Sequence, residues 1–582
     1  MAKKAIPRFL IPALGALALT AAYLVHSNRN GGSFLTSPNA KGEAETAEAP
    51  LPPVVEPTGP PPRPDAELLK KWAGTSVPEI LTALRQDPPD AYPPPPPPLT
   101  FPKIEGIDPY LPRFEANSSG DSSTLPAFDD AVMLDGSLIL STDGAPLIDS
   151  AITGIGGRRL LPADFDHDGD TDLFIGRGKE LPSSLLRRGK DGGFEDVTTA
   201  AGLLEFLDLI DAAWVDFDRD GRLDLFTVSH APKAGDPSVL QLFHNLDNNR
   251  FEEISGELAL TVDGPVGDFL WHDVDDDAYP DLFLSLAGDP GTLRLLASVP
   301  AQNATRWSFT DATATYGLVD AIGGGPLAIG DFNQDGQDDL VTTANGKLTL
   351  LARTPADSGF APFADVTEAL ELGGVPLPGD LLFEDFDGDG FLDLALIGGT
   401  NEAPASRAWW NVGGLRFREI PGAAGLATSS PLQRLIRLDS DGDGIAEILT
   451  AAGSGFHGQL LTATTETIAD NARLVLTLNG DEASNRNGFG AVATVVVRDE
   501  NWTLSTIERQ VNEVSEVIGL GAAKQIQSIK ITWPDLTKTT TELGEFPINQ
   551  QLEIGPDPEN AKATPLATPE ISTGTASPET GS

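Results

Sequence analysis

Aspartates recur at every second position in six short stretches of this chain, and each stretch closes on a small residue and a late carboxylate. The pattern is D-x-D-x-D-G-x-x-D, starting at Asp164, Asp216, Asp273, Asp331, Asp385 and Asp439. Oxygens in that rhythm suit a loop wrapped around a hard cation. Calcium, which takes roughly six to eight oxygen ligands, is the natural candidate. The candidate metal ligands are Asp164, Asp166, Asp168 and Asp172; Asp216, Asp218, Asp220 and Asp224; Asp273, Asp275, Asp277 and Asp281; Asp331, Asn333, Asp335 and Asp339; Asp385, Asp387, Asp389 and Asp393; and Asp439, Asp441, Asp443 and Glu447. About five to six Ca²⁺ ions are expected on this reading.

The carboxylates need a cation. Two of them about 4 Å apart repel by roughly 4 kcal/mol at an effective dielectric of about 20, and four or five in one turn would spread the loop or raise their pKa values. After the third ligand the backbone must turn sharply with positive φ, which glycine adopts at least cost. The third copy has Ala278 there, so its loop is expected to be the strained one. Asn333 keeps an oxygen but loses a charge, and Glu447 can reach an ion with both of its oxygens. An EF-hand is excluded: its twelfth position needs Glu, whereas Ile175, Thr227, Leu284, Thr342, Leu396 and Thr450 stand there. Without metal the same residues would be acidic hairpin turns, a reading that six copies in register disfavour.

The elements that must position these loops are strands. Leu173-Phe174-Ile175, Leu225-Phe226-Thr227 and Leu282-Phe283-Leu284 follow directly, which makes each loop a turn between two strands. A second element, Phe194-Glu195-Asp196-Val197-Thr198, recurs with its aromatic at Phe251, Phe309, Phe363 and Phe417, each 22 residues before the next Asp loop. The loops are 52 to 58 residues apart. That period, with several short strands per unit, predicts an all-β fold, a β-propeller whose blades bury each other's faces. The loops resemble the FG-GAP/VCBS repeats of integrin-type propellers. The resemblance implies that each loop joins the first two strands of a blade and binds Ca²⁺. Seven blades are favoured, one lacking a metal loop and built around Ala131-Val132-Met133 and Leu138-Ile139-Leu140, with six as the alternative. The last unit runs out near Thr465 before a fourth strand, and an N-terminal strand is expected to complete it.

From about Ala472 the chain alternates as strands again. Asn485-Arg486-Asn487-Gly488, Gly519-Leu520-Gly521 and Trp533-Pro534-Asp535 stand out, and their order resembles the ASPIC/UnbV domain that follows such repeats in the cartilage-acidic-protein family. The Asn-Arg-Asn-Gly run reads first as a turn and Trp533 as a packing residue. The expected organisation is a signal peptide or signal-anchor over 1–30, a proline-rich linker with short helices over 31–100, the propeller over 101–468, a small β-rich domain over 470–556 and a disordered tail over 557–582.

Lys3, Lys4 and Arg8 precede an apolar run from Phe9 to Val25. This predicts export, as an uncleaved anchor with the bulk of the chain facing the periplasm or cell exterior, or as a secreted protein if the segment is cleaved. The membrane is expected to be met through this segment only. A net charge of −47 excludes nucleic-acid binding through a basic surface, and without cysteine there is no disulfide or thiolate metal site. No nucleophile-elbow or His-Glu-x-x-His motif occurs. His167 is expected to face solvent and His272 to be a strand residue. The expected function is a non-catalytic, calcium-binding protein-interaction or adhesion module with a protein or glycan ligand. The alternatives are a glycan-binding propeller or a polysaccharide hydrolase or lyase, whose paired acids could hide among so many carboxylates.

Overall fold

The computed structural model describes residues 113–116, 130–134, 137–141 and, short internal breaks aside, 159–566. The apolar run, the proline-rich linker and the short helical patterns of the N-terminal region lie outside the described residues, as does the tail after Leu566. Among the described residues no helix is long and apolar enough to cross a membrane.

Six four-stranded antiparallel sheets succeed one another along the chain. Their first strands are Arg159–Ala163, Leu209–Val215, Val266–His272, Leu327–Gly330, Pro378–Glu384 and Leu432–Leu438. In each sheet the Asp loop connects this strand to the second, such as Asp172–Gly176 in blade 1. The sixth sheet has only three strands from its own stretch of chain. Its fourth is Arg113–Ala116, which runs antiparallel to Gln459–Thr464 with Arg113 opposite Thr464. Joining the first and last described strands of the propeller in one sheet fastens the ring. A two-stranded hairpin, Asp130–Leu134 with Ser137–Ser141, lies with its first strand against both Leu432–Leu438 and Arg159–Ala163. It stands where the favoured seventh blade is expected, between blades 6 and 1, and it has no Asp loop.

The second strands are the apolar runs noted in the sequence, and Leu173, Phe174, Ile175, Leu225, Phe226, Leu282, Phe283 and Leu284 are fully buried. Both faces are covered because blades pack on each other. The recurring phenylalanines begin or sit in the outermost strands and join that packing: Phe251 of blade 2 lies 6.0 Å from Phe165 of blade 1, and Phe417 of blade 5 lies 5.8 Å from Phe332 of blade 4. The Thr or Ser that follows has its own task. Thr198 Oγ1 accepts the N–H of Leu185, Ser255 Oγ that of Leu242 and Thr367 Oγ1 that of Leu350, tying each outer segment to the third strand of its sheet.

Near the ring axis, aspartates at bulges in the first strands bridge neighbouring blades. Asp268 accepts the N–H of Phe269 and, across to the next blade, that of Leu327. Asp380 does the same with Leu381 and Leu435, and Asp211 pairs with Arg159. Burial, with Asp211 nearby, raises Asp268 to about 7.

The second domain is a sandwich of two four-stranded sheets. One has the strand order Glu516–Gly521, Ala472–Leu478, Gln550–Ile554, Lys562–Pro565; the other has Leu504–Val511, Ala491–Arg498, Gln525–Thr532, Thr540–Leu543. They share one core, which includes Leu474, Val495, Ile529 and Trp533. Trp533 is buried and donates its indole N–H to Thr541 Oγ1 at 2.8 Å. The strand Lys562–Pro565 pairs with Gln550–Ile554. Order therefore continues past 556, where the sequence suggested a disordered tail, because this segment covers the open edge of a sheet.

Candidate metal centre

Each Asp loop is held by its own backbone. In blade 1 the first carboxylate, Asp164, accepts the N–H groups of Asp168 and Gly169 at 3.1 and 2.9 Å. Asp168 accepts that of Asp170. The last, Asp172, takes the N–H of Phe165 on one oxygen and that of Arg188, in the third strand, on the other. Blade 5 repeats the set: Asp385 with Asp389 and Gly390, Asp389 with Phe391, and Asp393 with Phe386 and Asn411. Blades 2, 3 and 4 follow the same plan through Asp216, Asp273 and Asp331 at the start and Asp224, Asp281 and Asp339 at the end. The loop carboxylates are therefore aimed by the turn itself.

Sequence reasoning placed the positive φ at the sixth loop position, and the structure has it there: Gly169, Gly221, Gly336, Gly390 and Gly444, with Ala278 at +83° in the third copy. It missed the fourth position. His167, Arg219, Asp276, Gln334 and Gly388 are also left-handed, with φ from 54° to 73°. Three of these residues reach sideways: His167, Arg219 and Gln334. Arg219 donates to the carbonyl of Ala278 and Gln334 to that of Gly390, each in the next blade's loop. His167, expected in solvent, is partly buried with its ring against the Gly221 backbone, and burial lowers its pKa. The loops of blades 1, 2 and 3 are linked in this way, and so are those of blades 4 and 5.

Four loops gather at least three ligand oxygens within 4.8 Å of one another: Asp164, Asp166 and Asp172; Asp216, Asp218 and Asp220; Asp273, Asp275 and Asp281; and Asp385, Asp387 and Asp393. Asp168 stands outside this closest group in blade 1, as do Asp277 in blade 3 and Asp389 in blade 5. In blade 4 Asn333 Oδ1 accepts the N–H of Asp335, which also hydrogen-bonds to Asp331. In blade 6 Asp439 accepts the N–H of Gly444 and Asp443 that of Ile445; Asp441 and the Glu447 side chain lie outside what is described.

The donor sets fit a metal ion. Four are all oxygen, and the buried Oδ1 of Asp218 has no hydrogen-bond partner. Burial pushes Asp172 and Asp281 up to about 8, against the backbone N–H groups that lower them and with help from neighbouring carboxylates. Burial and the charges of Asp387 and Asp385 push Asp389 to about 9. A bound cation removes both penalties.

His244 was not anticipated. It precedes Asn245, whose N–H caps Asp224, a place taken by Arg187, Ala297, Ala352 and Trp410 in other blades. Its Nδ1 lies 3.1 Å from Asp224 Oδ1, and it groups with Asp218 and Asp224. Burial lowers its pKa, but the Asp224 hydrogen bond and the charges of Asp224, Asp218 and Asp220 outweigh this and raise it to about 9. Its signal was its place in the repeat. His272 ends a strand, as expected, and its Nε2 lies 3.2 Å from Asp338.

The loop face is covered in part, with Asp168, Asp275, Asp277 and Asp335 still exposed. The second domain reaches it through the landmarks singled out in the sequence. Asn487 Oδ1 accepts the N–H of Asp164 at 3.0 Å, and Arg486 lies 3.8 Å from Asp164 Oδ2. Lys538 donates to the carbonyl of Asp276 and lies 3.6 Å from Asp273 Oδ2. The N–H of Gly521 donates to the carbonyl of Gly388 at 2.9 Å, and Arg509 to that of Gly390. The Asn-Arg-Asn-Gly turn is thus also a contact, with Asn485 closing it through both its amide atoms on the Phe489 backbone.

Two family models match the sequence: an FG-GAP-like repeat over residues 152–227, and ASPIC and UnbV over residues 481–562. The chain carries an FG-GAP-like repeat and an ASPIC and UnbV domain. No curated protein sequence matches it. Similar solved structures include the Photorhabdus luminescens Tc holotoxin pore, at 15% identity over 66% of this chain and 18% of that one, with a TM-score of 0.27. The V. cholerae biofilm matrix protein Bap1 is 11% identical over 66% of this chain and 58% of its own, with a TM-score of 0.26. The polysaccharide lyase Uly1 is 12% identical over 56% and 82%, with a TM-score of 0.30. The chain thus spans less than two thirds of the first two. All three likenesses are too loose to assign an activity. The propeller, which includes the FG-GAP-like repeat, and the ASPIC and UnbV domain meet across the loops.

Proposed function

We propose that this chain is an extracytoplasmic, calcium-binding propeller that serves as a protein-interaction or adhesion module and not as an enzyme. The first, third, fifth and ninth loop residues would hold the ions, with Asn333 supplying a carbonyl oxygen in blade 4. Calcium supplies the positive charge that lets these carboxylates stay ionised and close together. Oxygen-only donor sets support calcium over softer metals, and the one imidazole, in blade 2, is the exception. Ligands already engaged by their own backbone under a second domain suit a structural ion. Export is supported by the basic start and apolar run of the sequence.

One observation supports an interaction role in particular. Trp502 is 76% exposed at the tip of the hairpin between Ala491–Arg498 and Leu504–Val511. Asp499 holds the tip by accepting the N–H groups of Asn501 and Thr503, and Trp502 itself has a φ of 66°. Arg498 stacks on the ring at 3.9 Å, and Leu504 beside it is also exposed. A large aromatic in a left-handed backbone, presented to solvent beside an arginine, has the composition of a binding hot spot. The test is capture of partners from an extracytoplasmic extract in calcium buffer, with wild-type and Trp502→Ala chains of equal melting temperature, alongside a glycan array and a polysaccharide-cleavage assay. Specific protein capture lost in Trp502→Ala is the expected result. Glycan binding or polymer cleavage without protein capture would replace this reading.

A further inference from the structure

We propose that the ASPIC/UnbV domain is a metal-dependent cap, with Asn487, Arg509, Gly519 and Gly521 as positioning residues for the propeller's metal loops. Loop occupancy and cap docking would then rise and fall together. The inference rests on the calcium reading above and goes further, because it assigns a role to the second domain.

Three features carry it. The first is what the cap touches. Its hydrogen bonds end on loop backbone: the N–H of Asp164 and the carbonyls of Gly388 and Gly390. Gly388 and Gly390 have φ of 73° and 95°, so these carbonyls point at the cap only while the loop is wrapped. A loop opened by its own charge repulsion withdraws them.

The second is the closeness of fit. A Cβ on Gly519 would lie 1.9 Å from Asp385 Oδ2 and 2.8 Å from the Gly388 backbone. Only glycine fits there, because the Gly388 backbone cannot give way, and the Asp385 carboxylate it abuts is one of the loop's candidate ligands.

The third is charge. Docking covers part of the carboxylate cluster and strips its water, a cost that a cation offsets. The cap brings cations close to three of the loops: Arg486 at Asp164, Lys538 at Asp273, and Arg509, whose charge acts on Asp385 and Asp389. One cation is fewer than the carboxylates of any of these loops. An ion therefore favours docking, and by linkage docking must favour the ion by the same factor.

The experiment uses the full chain, with calcium alone as ligand. Bound calcium is measured by titration calorimetry. Docking is read by hydrogen exchange at the Gly521 amide, whose partner is the Gly388 carbonyl across the interface. The amides of Ala491–Arg498, inside the sandwich, serve as internal control. On chelation with EGTA, Gly521 exchange is expected to accelerate at least about tenfold while the control strand stays protected. Gly519→Leu is expected to expose the Gly521 amide even in calcium and to weaken calcium binding by roughly 5- to 100-fold at the affected loops.

Calcium that binds while Gly521 protection is indifferent to EGTA overturns the cap proposal and leaves the calcium reading intact. A chain that binds no calcium overturns both. If Gly519→Leu does not fold, the wild-type comparison still decides, and Arg509→Ala gives a milder version of the same test.

Discussion

At the scale of single residues, the loops are built from two kinds of position. The aspartates carry charge and are aimed by backbone N–H groups, while the fourth and sixth positions carry the turn. Gly336 isolates the second effect: its φ is +79°, and nothing lies within 4 Å of where a Cβ would stand. Gly336→Ala should therefore cost about 1 kcal/mol, from left-handed backbone alone, read as a lower denaturant midpoint with unchanged slope. Ala278 shows that the cost is tolerable once. The sixth position was legible in the sequence because glycine marks it. The fourth was not, because His167, Arg219, Asp276 and Gln334 share no chemistry beyond tolerating the left-handed region. The bridging aspartates Asp211, Asp268 and Asp380 each stand five residues before the first aspartate of a loop, a spacing that could have found them; they were overlooked because the other three copies have Arg159, Pro326 and Arg434 there, and because the bulges show only once the strands pair. The raised carboxylates also carry a pH dependence. Asp172 and Asp281 titrate near 8 in the fold against an ordinary 3.8. Without metal, the stability they contribute is complete below about pH 4 and is lost as the pH climbs through about 8.

At the scale of elements, the strand Arg113–Ala116 has the largest consequence for its length. It supplies the fourth strand of blade 6, and removing it leaves Gln459–Thr464 as an unpaired edge in a ring whose ends are no longer joined. A chain that begins after Ala116 should melt several degrees below one that begins at Asp108, and it should self-associate in light scattering. Equal melting and a monomeric short form would show that the strand does not fasten the ring. The missing strand was legible as a deficit, since the repeat after Asp439 is one strand short. The hairpin Asp130–Ser141 was legible as an alternating pair, and its place in the ring follows from the two neighbours it touches.

At the scale of the whole molecule, the loops, the ring and the cap make one assembly. The sequence showed the loops and the ASPIC/UnbV landmarks separately, and their meeting was out of reach. Asp164 and Asn487 are 323 residues apart, and no periodicity links a propeller turn to a sandwich turn. What joins the two domains is loop backbone: the N–H of Asp164 to Asn487, and the carbonyls of the left-handed Gly388 and Gly390 to Gly521 and Arg509. The central claim is that this assembly is built around metal. The most direct test is elemental analysis of the purified full chain, followed by calorimetric melts with calcium and with EGTA at pH 5 and pH 8. The account predicts about five to six bound calcium ions, a large fall in melting temperature on chelation, and a chelated protein that melts lower at pH 8 than at pH 5 while the calcium form does not. A metal-free chain whose melt is indifferent to EGTA at both pH values would contradict it, and the loops would then be acidic turns.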